Sequence, residues 1–242
     1  MKPQPIRPND VIAVGDVHGC FNLLSTLVNY LRGSQSTLIF LGDLIDRGPQ
    51  DVECLALAKA MTEDPQSFGL SAVHCLLGNH EDMFLNAMNR GGTSFCDWVA
   101  NGGNFFQRDS LLHYVDWLDS LPVVIYDKDT IFVHAGLVPG ESPQDSIRKG
   151  RTGSLFWMRN PFLTIGPRLE RWTNQFKKVV HGHSVNMDGN GYILPYADIS
   201  ENRDRIGIDT GACFGGTLTA YNNTQDYFIH VEPNCITESP FA

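Results

Sequence analysis

Val11-Ile12-Ala13-Val14-Gly15-Asp16-Val17-His18-Gly19 sets four apolar residues before an Asp-x-His pair enclosed by two glycines. The apolar run reads as a buried strand. Phe21, Leu24, Leu27, Val28 and Leu31 then recur at helical spacing, so the unit is strand, loop and helix. Residues i and i+2 share one face of an extended segment, which directs Asp16 and His18 the same way and lets one metal ion take both. The glycines permit a sharp turn and a close approach of backbone to a phosphate.

The same unit recurs twice. Thr37 to Leu41 leads into Gly42-Asp43-Leu44-Ile45-Asp46-Arg47-Gly48 and a helix near Val52 to Met61. Ser71 to Leu77 leads into Gly78-Asn79-His80-Glu81 and a helix from Glu81 to Met88. Three βα units in a row predict an α/β layered fold. Two later clusters, His134-Ala135-Gly136 and His181-Gly182-His183, add further donors. Asp, Asn and neutral His suit divalent cations such as Mn, Fe and Zn, and no Cys pair of a structural zinc site accompanies them, so the expected metals are catalytic.

Between Arg90 and Leu121 the reading is a Gly- and Asn-rich loop and a helix carrying Leu111, Leu112, Val115, Trp117 and Leu118, together a cap-like insertion at 90–121. After Pro122 strands dominate, over Val123 to Tyr126, Thr130 to Val133, Lys178 to Val180, Arg205 to Ile208, Leu218 to Tyr221 and Tyr227 to Val231, and a second sheet is expected to pack on the first. The expected organisation is a flexible arm at 1–8, one domain over 9–232, and a tail at 233–242 that frays.

A chain of 242 residues can bury a substantial core without disulfides. Its six scattered cysteines suit reduced thiols, with Cys54 and Cys75 in apolar segments. The net charge of −9 argues against extended nucleic-acid binding, which needs a basic footprint, but says little about small phosphorylated substrates. No apolar run is long enough to span a bilayer, and the basic start lacks a following apolar stretch, so a cytoplasmic monomer away from membranes is expected.

The five ordered clusters resemble those of the calcineurin-like metallophosphoesterases, and specifically the phosphoprotein phosphatase branch, over nearly the whole chain. Asp97-Trp98-Val99-Ala100-Asn101-Gly102-Gly103 followed by Phe105-Phe106, Phe156-Trp157-Met158-Arg159, and Ile208-Asp209-Thr210-Gly211-Ala212 are similar to the small bacterial and phage members typified by lambda phosphatase. The sister group of symmetrical dinucleoside tetraphosphate hydrolases usually carries Asp where this chain has Glu81. The resemblance implies a four-layer α-β-β-α sandwich, two mixed sheets flanked by helices. It implies two divalent metal ions, Mn first and Fe or Zn next, held by Asp16, His18, Asp43, Asn79, His134 and His183, with Asp43 shared. It also implies direct attack on phosphorus by a hydroxide bridging the metals, without a phosphoenzyme.

In the same way the resemblance makes His80 the proton donor to the leaving oxygen, Asp46 its orienting partner, and Arg47 and Arg159 the clamp on the phosphate, with Asn79 and His80 also facing substrate. Arg148, Arg151, Arg168 and Arg171 compete with Arg159 or are solvated charges, and His181 is a partner of a ligand or only a loop residue. The bland alternatives are an Asp46–Arg47 pair on a surface turn, Asn101 to Gly103 as a plain turn, and Trp98, Phe105, Phe106 and Trp157 as core rather than substrate contacts. His74, His113 and His230 receive no role. The expected function is removal of phosphate from phosphoserine or phosphothreonine of proteins or peptides, with phosphotyrosine as an open addition. The alternatives are hydrolysis of a dinucleoside polyphosphate or capped RNA end, and a catalytically silent binding module.

Overall fold

The computed structural model describes residues 9–149, 152–164, 176–187, 198–199, 204–233 and 235–240. The arm at 1–8 and the arginines Arg151, Arg168 and Arg171 fall outside these described residues. In chain order, β1 (Val11–Val14), α1 (Phe21–Leu31), β2 (Thr37–Phe40), α2 (Asp51–Glu63), β3 (Ala72–Cys75) and α3 (Asn79–Arg90) are the three units read from sequence. Next come α4 (Gly92–Ala100), α5 (Arg108–Leu111), α6 (Val115–Asp119), β4 (Val124–Tyr126), β5 (Thr130–Val133), α7 (Pro143–Arg148) and α8 (Thr152–Trp157). The chain closes with β6 (Lys178–His181), β7 (Asp198–Ile199), β8 (Arg205–Gly207), β9 (Leu218–Asn222), β10 (Tyr227–Glu232) and β11 (Cys235–Pro240).

Two mixed sheets form. One has the order β11-β10-β9-β1-β2-β3, with β1, β2 and β3 parallel and the rest antiparallel; the other has the order β4-β5-β6-β8-β7, with β5, β6 and β8 parallel. The period-2 alternation of each strand divides the core into layers. Ile12, Val14, Leu38 and Phe40 face α1, α2 and α3, while Ala13 and Ile39 meet Phe132, Val180, Ile206 and Ile208 between the sheets. Ile131, Val133 and Val179 pack on the far side with Leu155, Phe162 and Phe176. Strands covered on both faces are apolar throughout, which is why β1 and β2 read as continuous runs.

Three expectations need correction. The strands after Pro122 do not all join a second sheet: β9 and β10 complete the first, because β9 runs antiparallel to β1 with Ala13 opposite Tyr221. The segment expected to fray instead forms β11, paired along β10 from Tyr227–Pro240 to Glu232–Cys235. In the 90–121 segment the single helix around Leu111 to Leu118 is interrupted by a 3-10 turn at Leu112–Tyr114, and α4 forms where a loop was read. There Phe95 and Trp98, three apart on one helical face, pack together, and Trp98 is fully buried. No helix among the described residues is long and apolar enough to cross a membrane.

Candidate active site

The polar side chains named from sequence follow the C-terminal ends of parallel strands: Asp16 and His18 after β1, Asp43 after β2, Asn79 and His80 after β3, His134 after β5 and His183 after β6. That rim is where open α/β sheets place ligand sites, since the loops there converge without crossing the strands. Asp16, His18, Asp43, Asp46, Asn79, His80, His134 and His183 are all buried, an arrangement that polar groups tolerate only with partners. Of the eight non-glycine residues described with positive φ, five are His18, Asp43, Asp46, Arg47 and His183. Each such position costs about 1–3 kcal/mol and must be held by its surroundings.

Glu81 does much of that holding. Its buried carboxylate accepts the backbone N–H groups of Asp43 (2.8 Å), Leu44 (2.7 Å), Ile45 (3.3 Å) and Gly78 (3.0 Å). Gly78 cannot carry a side chain, because a Cβ there would lie 2.2 Å from Asp43 Oδ1. Glu81 thus fixes the geometry of the loop after β2, with its carboxylate engaged by backbone donors. Sequence reading missed this clasp because the four donors lie on two segments.

Two donor triads share Asp43: His18, Asp43 and His80 offer ligand atoms within 4.8 Å of one another, and so do Asp43, His134 and His183. His18 Nδ1 donates to the carbonyl of Ile45 (2.8 Å) and His134 Nδ1 to that of Leu41 (3.0 Å). A carbonyl can only accept, so both imidazoles carry the proton on Nδ1 and present a bare Nε2. Burial keeps them neutral, holding His18 well below the usual range and His134 down at about 3. His134 Nε2 then lies 2.7 Å from Asn79 Oδ1 and 3.4 Å from Asp43 Oδ1. These are lone pairs facing lone pairs, which repel unless a cation sits among them.

The carboxylates make the same case. Burial raises Asp16 and Asp43 well above the carboxylate range, with Asp209 next in effect on Asp16 and Glu81 on Asp43. Asp209 is itself pushed up to about 6 by burial. Nearby cations would relieve this repulsion, so the donor set fits two divalent ions. Asp209 was given no role from sequence, yet it follows β8 at the same rim and lies against Asp16. Its position at the end of a parallel strand was a readable signal.

Asp16 departs from the simple expectation that it and His18 point together. The backbone of His18 is left-handed, at φ 46, so the two are not on an extended segment. Asp16 belongs to neither triad. Both its oxygens accept the N–H of His183 at 3.1 Å, and a Cβ on Gly182 would lie 2.0 Å from Oδ1. His181 also lies outside the triads; it is buried with its ring 5.3 Å from that of Phe162.

His80 Nδ1 donates to Asp46 Oδ2 at 2.7 Å, leaving Nε2 buried and without a partner. Asp46 does not pair with Arg47 on a surface turn. It also accepts Trp98 Nε1–H on both oxygens, at 2.9 and 3.1 Å, so Trp98 is neither a substrate stack nor plain core. Burial lifts Asp46 to about 7 and lowers His80 to about 3. Arg47 is exposed and donates from Nη1 to His18 Nε2 at 2.6 Å, while its backbone N–H reaches the carbonyl of Gly102 at 2.9 Å. The Asn101 to Gly103 turn therefore supports Arg47. Arg159 is exposed and close enough for its charge to lower His183 and Asp209, whereas Arg148 pairs with Asp145 at 2.7 Å on the surface.

Residues 10–210 match the profile of the calcineurin-like phosphoesterase family. A serine/threonine-protein phosphatase 1 from Salmonella typhimurium is 38% identical over 105 residues, 43% of either chain. A symmetrical bis(5'-nucleosyl)-tetraphosphatase from Coxiella burnetii is 30% identical over 144 residues, 58% of this chain and 46% of the relative. The chain thus spans less than half the length of these two relatives. A cold-active protein-tyrosine phosphatase of a Shewanella species superposes with TM-score 0.65 at 18% identity, covering 96% of this chain and 80% of that one, which bears on the fold alone.

Proposed function

This chain belongs to the calcineurin-like phosphoesterases and is a metallophosphoesterase hydrolase, and from that premise we propose that it removes phosphate from phosphoserine and phosphothreonine of proteins or peptides, with phosphotyrosine left to the test below. The observation that carries the reading is Asp43 shared between two donor triads, one of which includes His80, with Arg47 directly beside His18. Asp16, His18, Asp43, Asn79, His134 and His183 would hold two divalent ions, Mn²⁺ being the proposed pair. Bound there, the ions supply positive charge for the phosphate oxygens and make water acidic enough to attack at neutral pH.

The chain's own residues supply the rest. Arg47 and Arg159, both exposed, bind the phosphate where a phosphorylated side chain can reach it, and a guanidinium fork suits adjacent oxygens. His80 directs Nε2 inward and, when protonated, delivers a proton to the leaving oxygen. Asp46 and Trp98 fix the ring of His80 and favour its charged form as the phosphate binds. The 38% identity to a serine/threonine-protein phosphatase supports the monoester reading.

A dinucleoside tetraphosphate is the second reading, supported by the 30% identity to a symmetrical tetraphosphatase. The test is phosphate release from phosphoserine, phosphothreonine and phosphotyrosine peptides beside a dinucleoside tetraphosphate, after chelation and Mn²⁺ restoration, with His80→Asn as control. Preference for the peptides, lost in the control, supports the first reading. Preference for the dinucleotide replaces it with the second.

A further inference from the structure

The two sheets meet at the donor cluster through one close backbone approach. Gly15, just after β1, leaves no room for a side chain, because a Cβ there would lie 2.3 Å from the carbonyl oxygen of Ile208, just after β8. Gly15 N–H donates to the carbonyl of Thr219 at 3.0 Å, and Ile208 N–H to that of His181 at 2.8 Å. The next residue on each segment is an aspartate, so the approach sets the buried carboxylates of Asp16 and Asp209 against each other. The turn that carries Asp209 is held from behind. Asp209 Oδ1 accepts Gly211 N–H at 3.1 Å, and Thr210 Oγ1 donates to the carbonyl of Thr217 at 2.7 Å. The hydroxyls of Thr219 and Thr217 lie 2.7 and 3.0 Å from that of Thr210, and His230 Nδ1 lies 3.0 Å from Thr219 Oγ1. This buried network keeps Asp209 where two carboxylates alone would move apart.

We propose that Asp209 is a positioning residue of the metal centre, whose charge, set against Asp16 by the turn after β8, strengthens the hold of the Asp16 position on a divalent ion. The inference rests on the two-ion reading and deepens it. Asp209 belongs to neither donor triad, so it acts through Asp16 rather than as a seventh ligand. A buried carboxylate close to a divalent ion attracts it far more strongly than the same group in water. Beside a bare Asp16 that carboxylate only repels. The folded chain therefore carries a strain at Asp16 and Asp209 that ion binding relieves, and the threonine network keeps the turn from relaxing before the ion arrives.

Asp209→Asn removes the charge while keeping the shape and an oxygen for Gly211 N–H. In a calorimetric Mn²⁺ titration of chelator-stripped chains, one of the two binding events should weaken by at least about tenfold and the other should change less. Without metal at pH 8 the variant should melt above the parent, since the repulsion is gone, and its melting temperature should rise less on adding Mn²⁺. Thr210→Val loosens the same turn with the charge kept. It should lower the melting temperature with and without metal and leave the ratio of the two Mn²⁺ affinities unchanged. A purely structural role for Asp209 would make Asp209→Asn melt below the parent without metal and weaken both binding events alike, which overturns the proposal. Two ions bound as tightly by the variant as by the parent also overturn it, leaving the two-ion reading in place. A parent chain that binds no Mn²⁺ overturns the two-ion reading and the proposal together.

Discussion

His80 has one nitrogen committed to Asp46 and the other buried without a partner, so its loss should remove a chemical step and leave the fold. His80→Asn is expected to lower kcat about 10²- to 10⁴-fold with little change in melting temperature. Trp98→Phe keeps a ring in the same packing but removes the donor to Asp46. It should cost about 1–3 kcal/mol in stability by denaturant unfolding. Turnover should fall about 10- to 100-fold, as for other residues that orient a site histidine from behind. Asp51 gives a pH signature. Burial, with Asp46 as the next cause, pushes its carboxyl from 3.8 up to about 8, while Oδ1 accepts the N–H of Asp46 at 3.0 Å. The folded chain keeps a proton that the unfolded chain releases, so this group's contribution to stability falls as pH rises from about 4 to about 8 and is level above. Asp51→Asn removes that loss. Its melting temperature relative to the parent should climb across the window, reaching at least about 1 kcal/mol of added stability at pH 8, and a flat difference would contradict the assignment.

At the scale of elements, the loop after β2 depends on α3 through Glu81. Glu81→Gln keeps the shape but turns an amide NH₂ toward backbone donors, so at least two of the four N–H groups lose their acceptor. The expected loss is at least about 2 kcal/mol of stability, read by thermal unfolding, together with weaker Mn²⁺ binding by calorimetry. Local sequence made β1, β2, β3 and their helices legible, because apolar runs and helical spacing are set within a dozen residues. The donors at their ends were legible as well, since glycine-flanked Asp, Asn and His mark a turn that must bind something. The rest lay in partnerships across the chain. Trp98 meets Asp46 over a separation of 52 residues, β9 closes on β1 from beyond residue 200, and Asp209 acquires meaning only once β8 is known to end beside β1. The pairing of β11 was invisible for the same reason: Thr237 and Glu238 look like tail residues until β10 offers its edge.

For the whole molecule, the arrangement concentrates buried acids where two sheets bring their strand ends together. Asp16, Asp43 and Asp209 repel one another in a low-dielectric setting, and bare imidazole nitrogens add lone pairs to the same space. Ions that bind only the folded chain therefore stabilise it, by about 2.7 kcal/mol at a hundred times Kd. The most direct measurement is a Mn²⁺ titration of chelator-stripped protein, following bound metal, melting temperature and phosphate release together. Two ions per chain are expected, with a rise in melting temperature and recovery of phosphate release, and Asp43→Asn should weaken both binding events because one carboxylate serves both triads. Binding of a single ion, or two ions bound without any phosphate release, would contradict a shared two-metal phosphoesterase site.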